Sequence, residues 1–130
     1  MKNEDIIILE DNSATASYLK FILSMIYPTR RIFIFESVVE SIAWLSVNEP
    51  KLALIDLGLP DGSGLELLNA IKTKNKKITA VIVTIMGDDD TGFSALSLGA
   101  DGYILKDEEE NFIHRALEKI EQGEPPLSAS

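Results

Sequence analysis

Leu52-Ala53-Leu54-Ile55-Asp56 decides how this chain folds. It is a short apolar run ending in a carboxylate, and the turn-rich segment Gly58-Leu59-Pro60-Asp61-Gly62-Ser63-Gly64 follows at once. Three other runs share the pattern: Ile6-Ile7-Ile8-Leu9 leads into Glu10-Asp11, Val81-Ile82-Val83 into Thr84, and Tyr103-Ile104-Leu105 into Lys106. Runs of this length, rich in Ile, Val and Leu and separated by helix-like stretches, read as buried parallel strands. Ligands of open α/β sheets gather outside the carboxyl ends of such strands. Three acids, a hydroxyl and an amine are therefore expected in one crevice.

The intervening stretches carry helix signals. Asn12-Ser13 are capping types ahead of Ala16, Leu19, Ile22, Leu23 and Ile26 at helical spacing, and Pro28 stops that helix. Residues 31–35 read as a second strand, and Ser37 caps a helix carrying Val38, Ile42, Trp44 and Leu45. Leu65, Leu67, Leu68 and Ile71 form a third helix, ending in a basic run, Lys72 to Lys77, that suits the carboxyl end of its dipole. Residues 78–83 are the fourth strand. Asp88-Asp89-Asp90 opens a weaker fourth helix that Gly99 terminates, and residues 102–105 are the fifth strand. A last helix is expected from Asp107 to Gln122, its acidic first turn facing the positive end of the dipole, before Gly123-Glu124-Pro125-Pro126 breaks it. Strand and helix alternate five times. That pattern predicts a flavodoxin-like three-layer α/β/α sandwich whose five-stranded parallel sheet has the order 2-1-3-4-5.

The length of 130 residues, with 45% hydrophobic and 25% charged, suits one globular domain. With no cysteine there is no disulfide framework, thiolate metal site or thiol nucleophile. No apolar run reaches the roughly 20 residues that span a bilayer, and the first five residues lack a signal-peptide profile. The expectation is a cytoplasmic chain without a membrane partner. A formal charge of -9 argues against gripping a phosphate backbone, so any nucleic-acid role belongs to a different domain.

In the 2-1-3-4-5 order Glu10 and Asp11 lie on one flank of Asp56, with Thr84 and Lys106 on the other, which makes the acids central and the cation peripheral. Crowded carboxylates need a cation, and hard oxygen ligands suit Mg²⁺. A carboxylate beside such a metal can attack a phosphoryl group to give an acyl phosphate, while a lysine and a hydroxyl hold the phosphoryl oxygens. Each residue alone has a blander reading. Asp11 can be only a helix-capping type, Thr84 an ordinary strand residue, Lys106 a surface residue and Tyr103 a core residue.

Taken together the residues resemble the receiver domain of two-component response regulators, over nearly the whole chain. Glu10-Asp11 looks like that family's acidic pair, Asp56 like its phosphoacceptor, Thr84 like its switch hydroxyl, Tyr103 like its switch aromatic and Lys106 like its lysine. Leu59-Pro60 and Gly64 match the turn after the phosphoacceptor. The resemblance implies transfer of a phosphoryl group from a sensor histidine kinase, or a phosphotransfer protein, to Asp56. It further implies Mg²⁺ on Asp11, Asp56 and the backbone carbonyl of Gly58, with Glu10 acting through water. The domain is then a phosphoacceptor that catalyses its own phosphorylation and dephosphorylation rather than an enzyme on a separate substrate. Phosphorylation would draw in Thr84, turn Tyr103 and alter the surface of the fourth helix, fifth strand and last helix; a homodimer is left open.

Residues 99–107 and Pro126-Leu127-Ser128 resemble the LuxR-type branch, in which a DNA-binding helix-turn-helix domain controlling transcription follows the linker. Residues 1–123 are accordingly expected to be the receiver, and 124–130 the start of a linker to an effector domain outside this chain.

Three features depart from the family pattern. Glu10 stands where Asp is more usual. Ile85 stands where Ala, Gly or Ser is common, so Ile85 with Met86 is expected to tune access to the site. Asp107 stands where most receivers have Pro, so the family's cis peptide would here be a non-proline bond. Ile85 motivates the alternative of a pseudo-receiver that docks partners without being phosphorylated. An aspartate-nucleophile phosphatase of the haloacid dehalogenase type ranks low, because its second Asp would fall at Gly58. A flavin carrier ranks low as well, because no Ser/Thr-Gly phosphate loop follows the first strand.

Overall fold

Each of the four quoted runs is a strand. The computed structural model describes residues 4–85 and 94–120. Its elements are β1 (Ile6–Leu9), α1 (Ser13–Ile26), β2 (Ile32–Phe35), α2 (Val38–Val47), β3 (Leu52–Ile55), α3 (Gly64–Lys74), β4 (Thr79–Thr84), β5 (Gly102–Leu105) and a last helix, Glu110–Lys119. The five strands form one parallel sheet in the order β2-β1-β3-β4-β5, as the alternation predicts.

Period-2 geometry sorts the strand side chains into two cores. Ile6, Ile8, Leu52, Leu54, Val81, Val83 and Ile104 pack with α1 and the last helix through Leu19, Ile22, Leu23, Ile113 and Leu117. Ile7, Leu9, Ala53, Ile55, Ala80 and Ile82 pack on the other face with Leu45, Leu67, Leu68 and Ile71. β1 and β3 are buried at every position. Full burial of an Ile or Leu contributes about 1.5–3 kcal/mol, so these central strands anchor the fold.

Asn12 and Ser37 cap their helices as expected, and Ser63, read as a turn residue, caps α3 as well. The side chains of Asn12, Ser37 and Ser63 accept from the N–H groups of Thr15, Glu40 and Leu65 and start the first three helices. Gly99, at φ 101°, ends the helical turn at 94–97: Ala100 N–H reaches the carbonyl of Ala95, and Gly99 N–H that of Leu96. This pair of bonds needs a left-handed residue between them, which is why glycine stands there.

Several expectations are corrected. The last helix begins at Glu110 rather than Asp107, because residues 106–108 turn off the sheet end, with Glu108 N–H on the Leu105 carbonyl, and Glu109 is extended. Only Glu110 remains an acid of the first turn. The Lys106–Asp107 peptide is trans. Lys72 and Lys74 stand in the last turn of α3 as expected, and they also reach neighbouring segments: Lys74 Nζ donates to the Leu45 and Asn48 carbonyls at the carboxyl end of α2, and Lys72 Nζ to Asp101 at 2.8 Å. The segment after β3 contains a small antiparallel ribbon, Gly58–Leu59 with Gly62–Ser63. Asp88-Asp89-Asp90, Met86, Gln122 and the linker at 124–130 lie outside the described residues.

Candidate functional site

The sheet ladder runs one residue past the apolar strands, and that extra rung fixes the chemistry. Glu10 N–H donates to the Phe35 carbonyl and Asp56 N–H to the Leu9 carbonyl, each at 2.9 Å; Lys106 N–H donates to the Thr84 carbonyl at 2.7 Å. The first polar residue after β1, β3 and β5 is therefore held by a neighbouring strand's backbone at the carboxyl end of the sheet.

The side chains converge there. Glu10 is 1% exposed, with Oε1 at 2.6 Å from Lys106 Nζ and Oε2 accepting from Asn12 N–H at 3.0 Å. The same Nζ lies 3.2 Å from Asp56 Oδ2. One oxygen from each of Glu10, Asp11 and Asp56 falls within 4.8 Å of the others, and Asp11 is the exposed member. The expected arrangement, acids central and cation peripheral, is corrected here. β5 lies three strand spacings from β1, about 14 Å at 4.8 Å each, yet the long stems of Lys106 and Glu10 close that gap across the end of β4. The lysine is an internal counter-ion to two of the acids.

The donor set fits a hard divalent cation. Among the described residues, three carboxylates against one ammonium leave a formal excess of two negative charges, all on oxygen, with Asp11 exposed to solvent. A cation joining such groups relieves the repulsion between them.

The other expected residues are placed as follows. Thr84 is buried and ends β4, the strand between those that carry Asp56 and Lys106. Tyr103 pairs in register with Ile82 and packs on the α2/α3 face, so it does not join the acids. Gly58 is exposed in the ribbon that follows Asp56. Ile85, beside Thr84, is 69% exposed.

Two further residues shape the site. Gly64 opens α3 directly beneath Asp56: a Cβ there would lie 2.0 Å from the Asp56 carbonyl oxygen and 2.6 Å from Ile55 Cγ2. Only glycine permits so close an approach. Asp61, at the ribbon tip, accepts from the N–H groups of Val38 and Val39, the first two residues of α2, at 2.9 and 3.0 Å. Those two donors hold its carboxyl below the ordinary carboxylate range. Gly64 was legible as part of the family turn, whereas Asp61 was not, since a cap is normally sought next to its helix and this one comes from 22 and 23 residues away.

Residues 6–118 match the family model described as response regulator receiver domain. The acid tolerance regulatory protein ActR of Rhizobium meliloti is 39% identical over 101 residues, covering 74% of this chain and 52% of that protein. The nitrate/nitrite response regulator protein NarL of Escherichia coli is 28% identical over 131 residues, covering 98% of this chain and 61% of that protein. The chain thus spans about half to three fifths of the length of these relatives. Among solved structures, the isolated REC domain of RcsB from Salmonella enterica serovar Typhimurium superposes with a TM-score of 0.85 at 21% identity, covering 98% of this chain and 94% of that one. The phosphorylated cyanobacterial phytochrome response regulator RcpA gives 0.79 at 25% identity, covering 93% of each. Strand order, family model and relatives agree, and the chain belongs to the response regulator receiver domain family, with NarL/LuxR-type regulators among its relatives.

Proposed function

We propose that this chain is a phosphoacceptor switch of two-component signalling, with Asp56 as the residue modified. The observation that carries this reading is the ammonium of Lys106 between Asp56 and Glu10, at 3.2 and 2.6 Å, in a cluster that keeps an excess of negative charge. Asp56 Oδ1 or Oδ2 attacks the phosphorus of a phosphohistidine on a sensor kinase or phosphotransfer protein. The P–N bond breaks, a P–O bond forms, and the imidazole leaves with the electron pair. Lys106 then exchanges its contact with the carboxylate for one with a phosphoryl oxygen, and the Thr84 hydroxyl donates to another.

Mg²⁺ suits the cluster, with Asp11, Asp56 and the Gly58 carbonyl as ligands and Glu10 acting through water; when bound it offsets the charge that otherwise repels an incoming phosphoryl group. Thr84 and Tyr103 form the switch, and Ile85 with Met86 tunes access. In this reading residues 1–123 are the receiver, and 124–130 begin a linker to a DNA-binding transcription-regulator domain. The setting is cytoplasmic, and the domain acts on no separate substrate. ActR and NarL are named as regulatory proteins, which supports this output.

The test is incubation with Mg²⁺ and a small phosphodonor. A labile mass gain of one phosphoryl group, absent in Asp56→Asn, is the expected result. No gain in the wild type would turn the reading to a docking module that is not phosphorylated, the role that the exposed Ile85 beside Thr84 favours.

A further inference from the structure

The ribbon after Asp56 is held at both ends. At its root, Gly64 N–H donates to the Leu57 carbonyl at 3.0 Å, and Gly64 sits against the Asp56 carbonyl. Across the ribbon, Gly58 pairs with Ser63 and Leu59 with Gly62. At its tip, Asp61 Oδ1 accepts from Val38 N–H and Oδ2 from Val39 N–H. A helix leaves its first N–H groups without intrahelical partners. Ser37, the local cap of α2, accepts from Glu40 N–H at 3.2 Å and donates to Glu40 Oε1, and the two backbone donors before Glu40 are satisfied from the ribbon.

We infer that Asp61 is a positioning residue for the cation site. By tying the ribbon tip to the amino end of α2, it fixes the segment that presents the Gly58 carbonyl beside Asp56. The inference rests on the reading of Asp11, Asp56 and Gly58 as cation ligands. Coupling between two sites is reciprocal, so a cation held at Gly58 also steadies the start of α2. The helix carries its own reporter: Trp44, the single tryptophan of the chain, packs at a tilt against Phe33 and Phe35 of β2 with ring centroids 5.6 and 5.9 Å away.

The experiment is a Mg²⁺ titration of the full chain, followed by calorimetry for affinity and by Trp44 fluorescence for α2. The wild type is expected to bind Mg²⁺ with a change in Trp44 emission. Asp61→Ala is expected to weaken binding about fivefold or more, within the usual range of site-to-site coupling, and to uncouple the emission change from binding. Asp61→Asn keeps one acceptor oxygen and should fall between the two. Ser37→Ala removes the other cap of the same helix without touching the ribbon, and its affinity should stay within about twofold of wild type. Circular dichroism of each variant shows whether it is folded, and Asp61→Asn, isosteric with the native residue, carries the test if Asp61→Ala does not fold. Equal Mg²⁺ affinity of wild type and the Asp61 variants overturns the tether alone, as does an equal loss in Ser37→Ala. No Mg²⁺ binding by the wild type overturns the cation site and the tether together.

Discussion

The two ends of the sheet treat charge in opposite ways. At the amino end the acids are matched by bases: Asp5 is gripped by Arg31 through two bonds of 2.9 Å, and Glu4 meets Lys51 at 2.9 Å and Arg30 at 3.8 Å. At the carboxyl end Glu10, Asp11 and Asp56 have one ammonium between them among the described residues. Both ends use carboxylates at the borders of apolar strands, so the residue type does not separate structure from function. The balance of charge does. A neutralised cluster is complete in itself, whereas a cluster with excess charge can hold a cation.

The most severe way to break this comparison is to remove the shared ammonium. Lys106→Met leaves buried Glu10 and Asp56 uncompensated, and loss of one partner of a buried pair costs about 3–5 kcal/mol. Urea unfolding without metal should show that loss, and Mg²⁺ should restore much of it because the excess charge is then greater. Unchanged stability in metal-free solution would mean that the lysine does not hold the acids together.

Gly64→Ala strikes the same end through sterics. A Cβ 2.0 Å from the Asp56 carbonyl oxygen must displace the backbone of Asp56. Overpacking of this kind costs about 1–3 kcal/mol. Thermal melting should report the destabilisation, and the rate of phosphoryl uptake on Asp56 should fall with it. A variant that melts lower but takes up phosphate at the wild-type rate would show that the strain is absorbed in α3 rather than at the site.

At the amino end, Lys51→Met should cost no more than about 1 kcal/mol, because the Lys51–Glu4 pair is substantially exposed. Its stability should not respond to Mg²⁺. A metal response equal to that of Lys106→Met would erase the distinction between the two ends.

The smallest effect is a pH dependence at the ribbon tip. Asp61 has its pKa lowered in the folded state by the N–H groups of Val39 and Val38, so it binds protons more weakly there than in the unfolded chain. Its contribution is therefore present above the ordinary carboxylate pKa of about 3.9 and is lost as the pH falls through the lower folded value. Asp61→Asn should lower stability slightly near neutral pH and remove that part of the acid unfolding curve, so that the difference from wild type shrinks as the pH falls. If the wild type and Asp61→Asn follow the same acid limb, the tether makes no titratable contribution.

What the sequence disclosed was local. β3 and β5 have the bounds read from the apolar runs, since turn-forming or polar residues stop each run abruptly. Glu10, Asp11, Asp56 and Lys106 were legible as one cluster, because a parallel sheet forces the ends of adjacent strands together. What stayed hidden depends on reach through space. Strand order placed Lys106 at the periphery, since it counts backbone spacings and not the length of two extended side chains. Asp61 looked like a turn residue because nothing in Pro60-Asp61-Gly62 points to a helix more than twenty positions earlier. The late start of the last helix was hidden too. Asp107 to Glu109 suit a helix start by composition, but the chain must first turn off the sheet.

The division of strand side chains between two cores also bears on how the domain can be altered. Ile104 enters the cluster with α1 and the last helix, while its neighbour Tyr103 packs among residues of the opposite layer. Adjacent residues of β5 therefore belong to compartments whose side chains are separated by the sheet itself. The two halves can be redesigned one at a time, with the backbone as their common wall. Glu10, Asp56 and Lys106 stand at the rim of that wall, each bonded through its backbone to the neighbouring strand.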